Sequence, residues 1–154
     1  MNRAGRLIVR FLASGFFSGH IPFTPGTCGT LIAIPLYLLL IGALQGWRYA
    51  GAVVAVTLFA IWISGLAEKI YGRKDPPQVV IDEIAGFLLT MTAIPPTVVY
   101  IILGFILFRL FDILKPHPAS WINSRMRGGS GIVLDDIVAG LYANIILHFL
   151  CRVL

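Results

Sequence analysis

The run VVIDEIAGFLLTMTAIPPTVVYIILGFILFRLFDILK, residues 79–115, decides the fold. From Ile84 to Phe108 it carries no charged side chain. Read as one helix it would be more than about 50 Å long at 1.5 Å per residue, with Pro95-Pro96 in an interior that tolerates neither ring. The run is therefore expected to fold as a helical hairpin, with helices over about 79–94 and 97–115 and a tight turn at the proline pair. The first is short for a membrane crossing, since about 20 apolar residues are needed to span a bilayer.

Outward from the hairpin the same apolar character continues. Phe11 to Trp47, Tyr49 to Ala67 and Ile137 to Cys151 are also free of charge. The whole chain is 58% hydrophobic and 12% charged, about half the charged fraction of a soluble domain. So much apolar surface cannot be hidden in one small globule, and lipid is its expected solvent. We read an all-α polytopic membrane bundle forming a single domain over 1–154, with spans near 28–45, 47–67, 79–94, 97–115 and 132–152. The net charge of +5 fits anionic lipid headgroups rather than nucleic acid.

Ahead of the spans, Arg3, Arg6 and Arg10 share one face of a helical wheel, and Ile8, Phe11 and Leu12 the other. That pattern predicts an amphipathic helix lying in the interface. It does not read as a signal peptide, because Arg10 interrupts the apolar run and no small-x-small site follows. Cys28 and Cys151 lie far apart beside hydrophobic segments and form neither a disulfide framework nor a metal motif.

Positive charge favours the cytoplasmic side. With the N-terminus inside, that side holds Arg3, Arg6, Arg10, Lys69, Arg73, Lys74, Lys115, Arg125 and Arg127, against Arg48 and Arg152 opposite. The same orientation, chosen without the acids, sends Asp82, Glu83, Asp112, Asp135 and Asp136 to the cytoplasmic ends of three spans. Acids in a first helical turn complement the helix dipole, but Asp112 falls in a last turn, where the dipole opposes it. Carboxylates crowded at membrane depth repel unless a cation joins them, and hard oxygen ligands suit Mg²⁺. Arg109 and Lys115, three residues either side of Asp112, are candidates for a phosphate.

Two glycine-rich loops precede spans on this face: SGHIPFTPGTCGT (residues 18–30) and RGGSG (127–131). Glycine lets backbone N–H groups approach an anion, and the helix N-terminus behind adds a favourable dipole. Gly86 and Gly140, each just beyond an acidic pair, are expected to allow close helix approach.

With these residues in place, the chain resembles the phosphatidylglycerophosphatase A family, bacterial enzymes that remove phosphate from phosphatidylglycerophosphate. The likeness rests on Ser18–Pro35, Val80–Pro95 and Phe105–Gly140, the last reading FILFRLFDILKPHPASWINSRMRGGSGIVLDDIVAG. It implies Mg²⁺ dependence, residence in the bacterial cytoplasmic membrane and an anionic phospholipid substrate. Carried onto matching positions, it implies catalytic and metal-binding roles among Asp82, Glu83, Asp112, Asp135 and Asp136. Substrate phosphate would meet Arg109, Lys115, Thr24, Gly26 and Thr27, and His20 is a further candidate to polarise a phosphate oxygen. His117 has no assigned role, and His148 is expected near the far interface.

Rival readings lack their signatures. A CDP-alcohol phosphatidyltransferase needs a long spaced-aspartate motif that is missing here. A phosphatidic acid phosphatase of the histidine type needs a partner histidine and basic motifs. A cation transporter needs polar groups near the midplane, yet Leu31–Leu44 and Ile84–Phe108 carry no charge.

Overall fold

The computed structural model describes residues 2–22 and 24–153, and every regular element among them is helical. Seven α-helices follow in order: α1 (Arg3–Ala13), α2 (Pro25–Ala43), α3 (Trp47–Tyr71), α4 (Ile81–Thr90), α5 (Val98–Leu114), α6 (Ala119–Arg125) and α7 (Gly128–Val153). Local chemistry sets several boundaries. Asn2 caps α1 by accepting from Gly5 N at 2.9 Å, Pro25 occupies the first turn of α2, and Gly72 ends α3 in a left-handed conformation, as helix ends favour.

Three helices are long and apolar enough to cross a membrane: α2, α3 and α7. The side chains they and α5 turn outward are apolar, among them Leu39, Leu58, Trp62, Ile106, Ile113 and Phe149. An exterior of this kind belongs against lipid. With 17 residues, α5 is about 25 Å long, slightly less than the roughly 30 Å hydrocarbon core.

The hairpin departs from expectation in its first arm. Instead of running to residue 94, α4 stops at Thr90 after 10 residues, about 15 Å, too short by itself to cross the hydrocarbon core. Pro95 and Pro96 have no N–H to offer the carbonyls of Met91 and Thr92, and other helices take over the open end. The Asn144 side-chain amide donates to Thr90 O (2.9 Å) and Thr92 O (2.8 Å). The Tyr49 hydroxyl donates to Leu88 O at 2.8 Å and the Tyr37 hydroxyl to Ile94 O at 3.3 Å. Non-helical backbone at membrane depth is tolerated only when enclosed by protein in this way.

Around α4 the core is densest. Phe87, Leu88 and Met91 are fully buried with Tyr37, Tyr49, Phe108 and Leu147. The glycines act as expected: a Cβ on Gly140 would stand 2.4 Å from Gly86 O, and one on Gly86 would stand 2.5 Å from the Phe108 ring. Close approach of α4 to α7 at this crossing therefore excludes any larger residue. A second apolar cluster seats α1, whose Val9 and Ala13 pack with Ile63, Ala67 and Val133. Its Leu7 and Ile8 stay exposed, and Arg10 lies over the Tyr71 ring at 5.3 Å.

Candidate active site

The N-termini of α2 and α4, the C-terminus of α5 and the third turn of α7 converge around a cleft of about 400 Å³. Asp82 and Glu83 enter it from the first turn of α4. Asp136 enters from α7, brought close by the Gly86–Gly140 crossing: its backbone carbonyl lies 2.8 Å from where a Gly86 Cβ would be. One carboxylate oxygen from each of these three acids lies within 4.8 Å of the others. Asp82 and Asp136 are buried, at 6% and 2% exposure.

Each of the three acids leaves one buried oxygen without a partner. Asp82 Oδ1, Glu83 Oε2 and Asp136 Oδ2 are inaccessible and accept no hydrogen bond. Buried oxygens left this way cost free energy, and neighbouring carboxylates add repulsion. A divalent cation between them would remove both penalties, and an all-oxygen donor set fits a hard ion. On this test the residues fit a metal.

The other two predicted acids pair with cations of the chain itself, although Asp135 Oδ1 also accepts no hydrogen bond. Asp112 Oδ2 lies 2.6 Å from Arg109 Nη1, one turn back on α5, whereas Arg109 reaches Glu83 only at 3.9 Å. Arg109 Nε has no hydrogen-bond partner, so the guanidinium keeps donor capacity. Asp135 Oδ2 accepts from Lys115 Nζ and, at 2.9 Å, from the Asn123 side chain on α6. Arg109, Asp112 and Lys115 line the cleft with the three acids, and Asp135 stands behind the wall they form.

From the first glycine loop, Thr24, Gly26 and Thr27 line the cleft. A Cβ on Gly26 would sit 2.2 Å from Glu83 Oε1 and 2.9 Å from Arg109 Nη1, so glycine lets the start of α2 close over that pair. The other candidates lie elsewhere. His20 is exposed, with Nε2 3.3 Å from the Tyr71 hydroxyl, and is not among the lining residues. The expected second loop is instead the first turn of α7, and residues 127–131 do not line the cleft either. A Cβ on Gly129 would fall 1.7 Å from Ile61 O, so that glycine serves the packing of α7 on α3.

Two residues at the site escape a sequence reading. Asp75, in the loop between α3 and α4, lines the mouth of the cleft and has φ +47°. Asn123 donates to Asp75 Oδ2 at 3.5 Å as well as to Asp135, and Lys74 grips the end of α6 through Asn123 O and, at 3.2 Å, Ser124 O. The residue Asp75 is exposed, but its carboxyl has lost part of its hydration, which raises its pKa above the usual range while Lys115 opposes the shift. Its signal in the sequence is scarcity, as one of seven acids in the chain.

A sequence profile described as phosphatidylglycerophosphatase A matches residues 11–151. The chain is 36% identical to the Escherichia coli protein named phosphatidylglycerophosphatase A, over 90% of this chain and 81% of that one. With the Haemophilus influenzae protein of the same name it shares 33% identity, over 90% and 86%. A Bacteroides thetaiotaomicron protein, provisionally named phosphatidylinositol-3-phosphatase, is 38% identical over 88% and 89%. No solved structure matches the chain significantly.

Proposed function

The chain belongs to the phosphatidylglycerophosphatase A family, and on that premise we propose that it is a Mg²⁺-dependent lipid phosphatase converting phosphatidylglycerophosphate to phosphatidylglycerol and inorganic phosphate. The observation that carries the chemistry is the partnerless trio of Asp82, Glu83 and Asp136 facing Arg109 and Lys115 across one cleft. Anionic oxygens whose nearest cation is Arg109, 3.9 Å from Glu83, sit opposite two cations, and a metal-bound phosphate monoester answers both.

Asp82, Glu83 and Asp136 would hold the ion, which when bound supplies Lewis acidity and lowers the pKa of water at the site. Arg109 and Lys115 stabilise the charge that grows on the phosphoryl oxygens. Asp112 and Asp135 hold those two cations in place, through the 2.6 Å pair on α5 and the Lys115–Asp135–Asn123 contacts. The start of α2 at Gly26 and Thr27 adds the positive end of a helix dipole. We read water as the nucleophile, and absence of labelled phosphate on acid-quenched protein is the expected result.

Lys69, Arg73, Lys74 and Arg127, gathered where α3 ends and α7 begins, support a cytoplasmic location for the cleft. Arg48 opens α3 and Arg152 lies in the last turn of α7, at the other end of the bundle. In a bacterial inner membrane this arrangement supports a site at headgroup depth.

Purified protein in detergent tests the reading, with phosphatidylglycerophosphate, phosphatidylinositol 3-phosphate and phosphatidic acid offered separately, each with Mg²⁺ and with chelator. The expected result is Mg²⁺-dependent release with the first substrate preferred by kcat/KM. Preference for the second moves the assignment toward the activity that the Bacteroides relative's name states. No release from any of the three refutes a lipid phosphatase.

A further inference from the structure

The cleft has a closed end and an open one. Asp82 and Asp136 are buried at the closed end, and Asp75 is exposed at the mouth. A diacyl lipid cannot enter a cavity of about 400 Å³, so only the phosphate of a lipid monoester reaches the floor and the rest trails out through the mouth. Displacement at phosphorus is in line. The entering water therefore lies on the floor side, and the oxygen of the departing alcohol on the mouth side, where Asp75 stands.

Every other acid lining the cleft already has a task. Asp82, Glu83 and Asp136 form the unpartnered trio, and Asp112 is paired with Arg109. The loop carrying Asp75 is fixed from several directions. Lys74 holds the end of α6, Arg73 donates to Gln78 at 2.9 Å, Pro76 is buried, and Val80 N donates to Ala13 O at 2.9 Å. Asp75 itself takes a left-handed conformation, which Asp adopts more readily than most L-residues. A loop anchored this thoroughly, ending on a carboxyl at the cleft mouth, is placed for chemistry.

We infer that Asp75 is the general acid of this site, donating its proton to the alcohol oxygen as the lipid leaves. The inference rests on the phosphatase reading above. As the water oxygen bonds to phosphorus, the P–O bond to the lipid breaks and its electron pair stays on the alcohol oxygen, which takes the Asp75 proton. The phosphate keeps one hydrogen of the water and the other is released. Because Asp75 faces solvent, a proton from water then restores its acid form. The loss of hydration that raises its pKa favours that form.

The test compares wild type with Asp75→Asn on two substrates in the same micelles: phosphatidylglycerophosphate, and an acyl-anchored nitrophenyl phosphate whose leaving group needs no proton. A general acid contributes about 10²- to 10⁴-fold. The variant should lose about that much on the lipid and less than about 5-fold on the aryl ester, with unchanged melting and Mg²⁺ response. Equal loss on both substrates overturns the inference and leaves the phosphatase intact. Failure of wild type to hydrolyse the lipid removes the phosphatase reading itself. If wild type rejects only the aryl ester, the bridging oxygen-18 isotope effect on the lipid decides: larger in Asp75→Asn supports the role, unchanged overturns it.

Discussion

Two sets of acids gather at one cleft and are treated differently. Asp112 and Asp135 each meet a cation from the chain, Arg109 and Lys115, and Asp135 has Asn123 as well. Asp82, Glu83 and Asp136 crowd together at the floor, where Arg109 approaches Glu83 only at 3.9 Å. In the sequence all five look alike, acids at helix ends. The structure separates those paired with a cation of the chain from three that could hold a metal ion. Asp135 and Asp136 are neighbours in the chain yet belong to different sets, because successive residues turn about 100° around a helix.

That division can be broken by substitution. The largest effect is expected from Asp136→Asn or Asp82→Asn, with phosphate release falling by about 10³-fold. In chelator these variants should melt no lower than wild type, since a repelling charge is gone. Added Mg²⁺ should raise the melting temperature of wild type more than theirs. A variant that loses stability in chelator as it loses activity would make the trio structural instead.

Next comes Arg109→Lys, which keeps the charge but loses the planar fork suited to phosphate. About a 10²-fold drop in kcat/KM is expected, with Mg²⁺ stabilisation retained. Asp135→Asn should cost about 10-fold, by loosening Lys115 without touching the trio. An equally deep loss there would merge the two sets, and steady-state kinetics beside metal-dependent melting reads the outcome. The smallest effect on turnover is expected from Asn144→Ala, which uncaps Thr90 and Thr92. Unfolding free energy should fall by about 1–2 kcal/mol, with activity per folded molecule nearly unchanged.

Much of this was legible from charge and apolar runs. Uninterrupted apolar stretches located α2, α3 and α7, and Gly86 and Gly140 announced the crossing that brings Asp136 to Asp82. The early end of α4 was hidden because its causes include Tyr37, Tyr49 and Asn144, side chains far away in the chain. Short α6, between Pro118 and Met126, has no apolar period to reveal it. Asp75 was missed because a loop has no repeating pattern that aims a side chain. Gly129 looked like an anion-binding glycine and proved to be a packing one, a distinction that depends on the backbone of Ile61 beside it.

The blunt inner end of α4 also bears on how the protein is made. Tyr37 and Tyr49 emerge from the ribosome before α4, but Asn144 emerges long after it. Until α7 is threaded into the bilayer, the carbonyls of Thr90 and Thr92 lack the amide that donates to them, and α4 cannot settle. The same late helix brings Asp136. A nascent chain halted before α7 thus has neither a seated fourth helix nor a finished acid trio, and maturation of the catalyst is tied to completion of its synthesis.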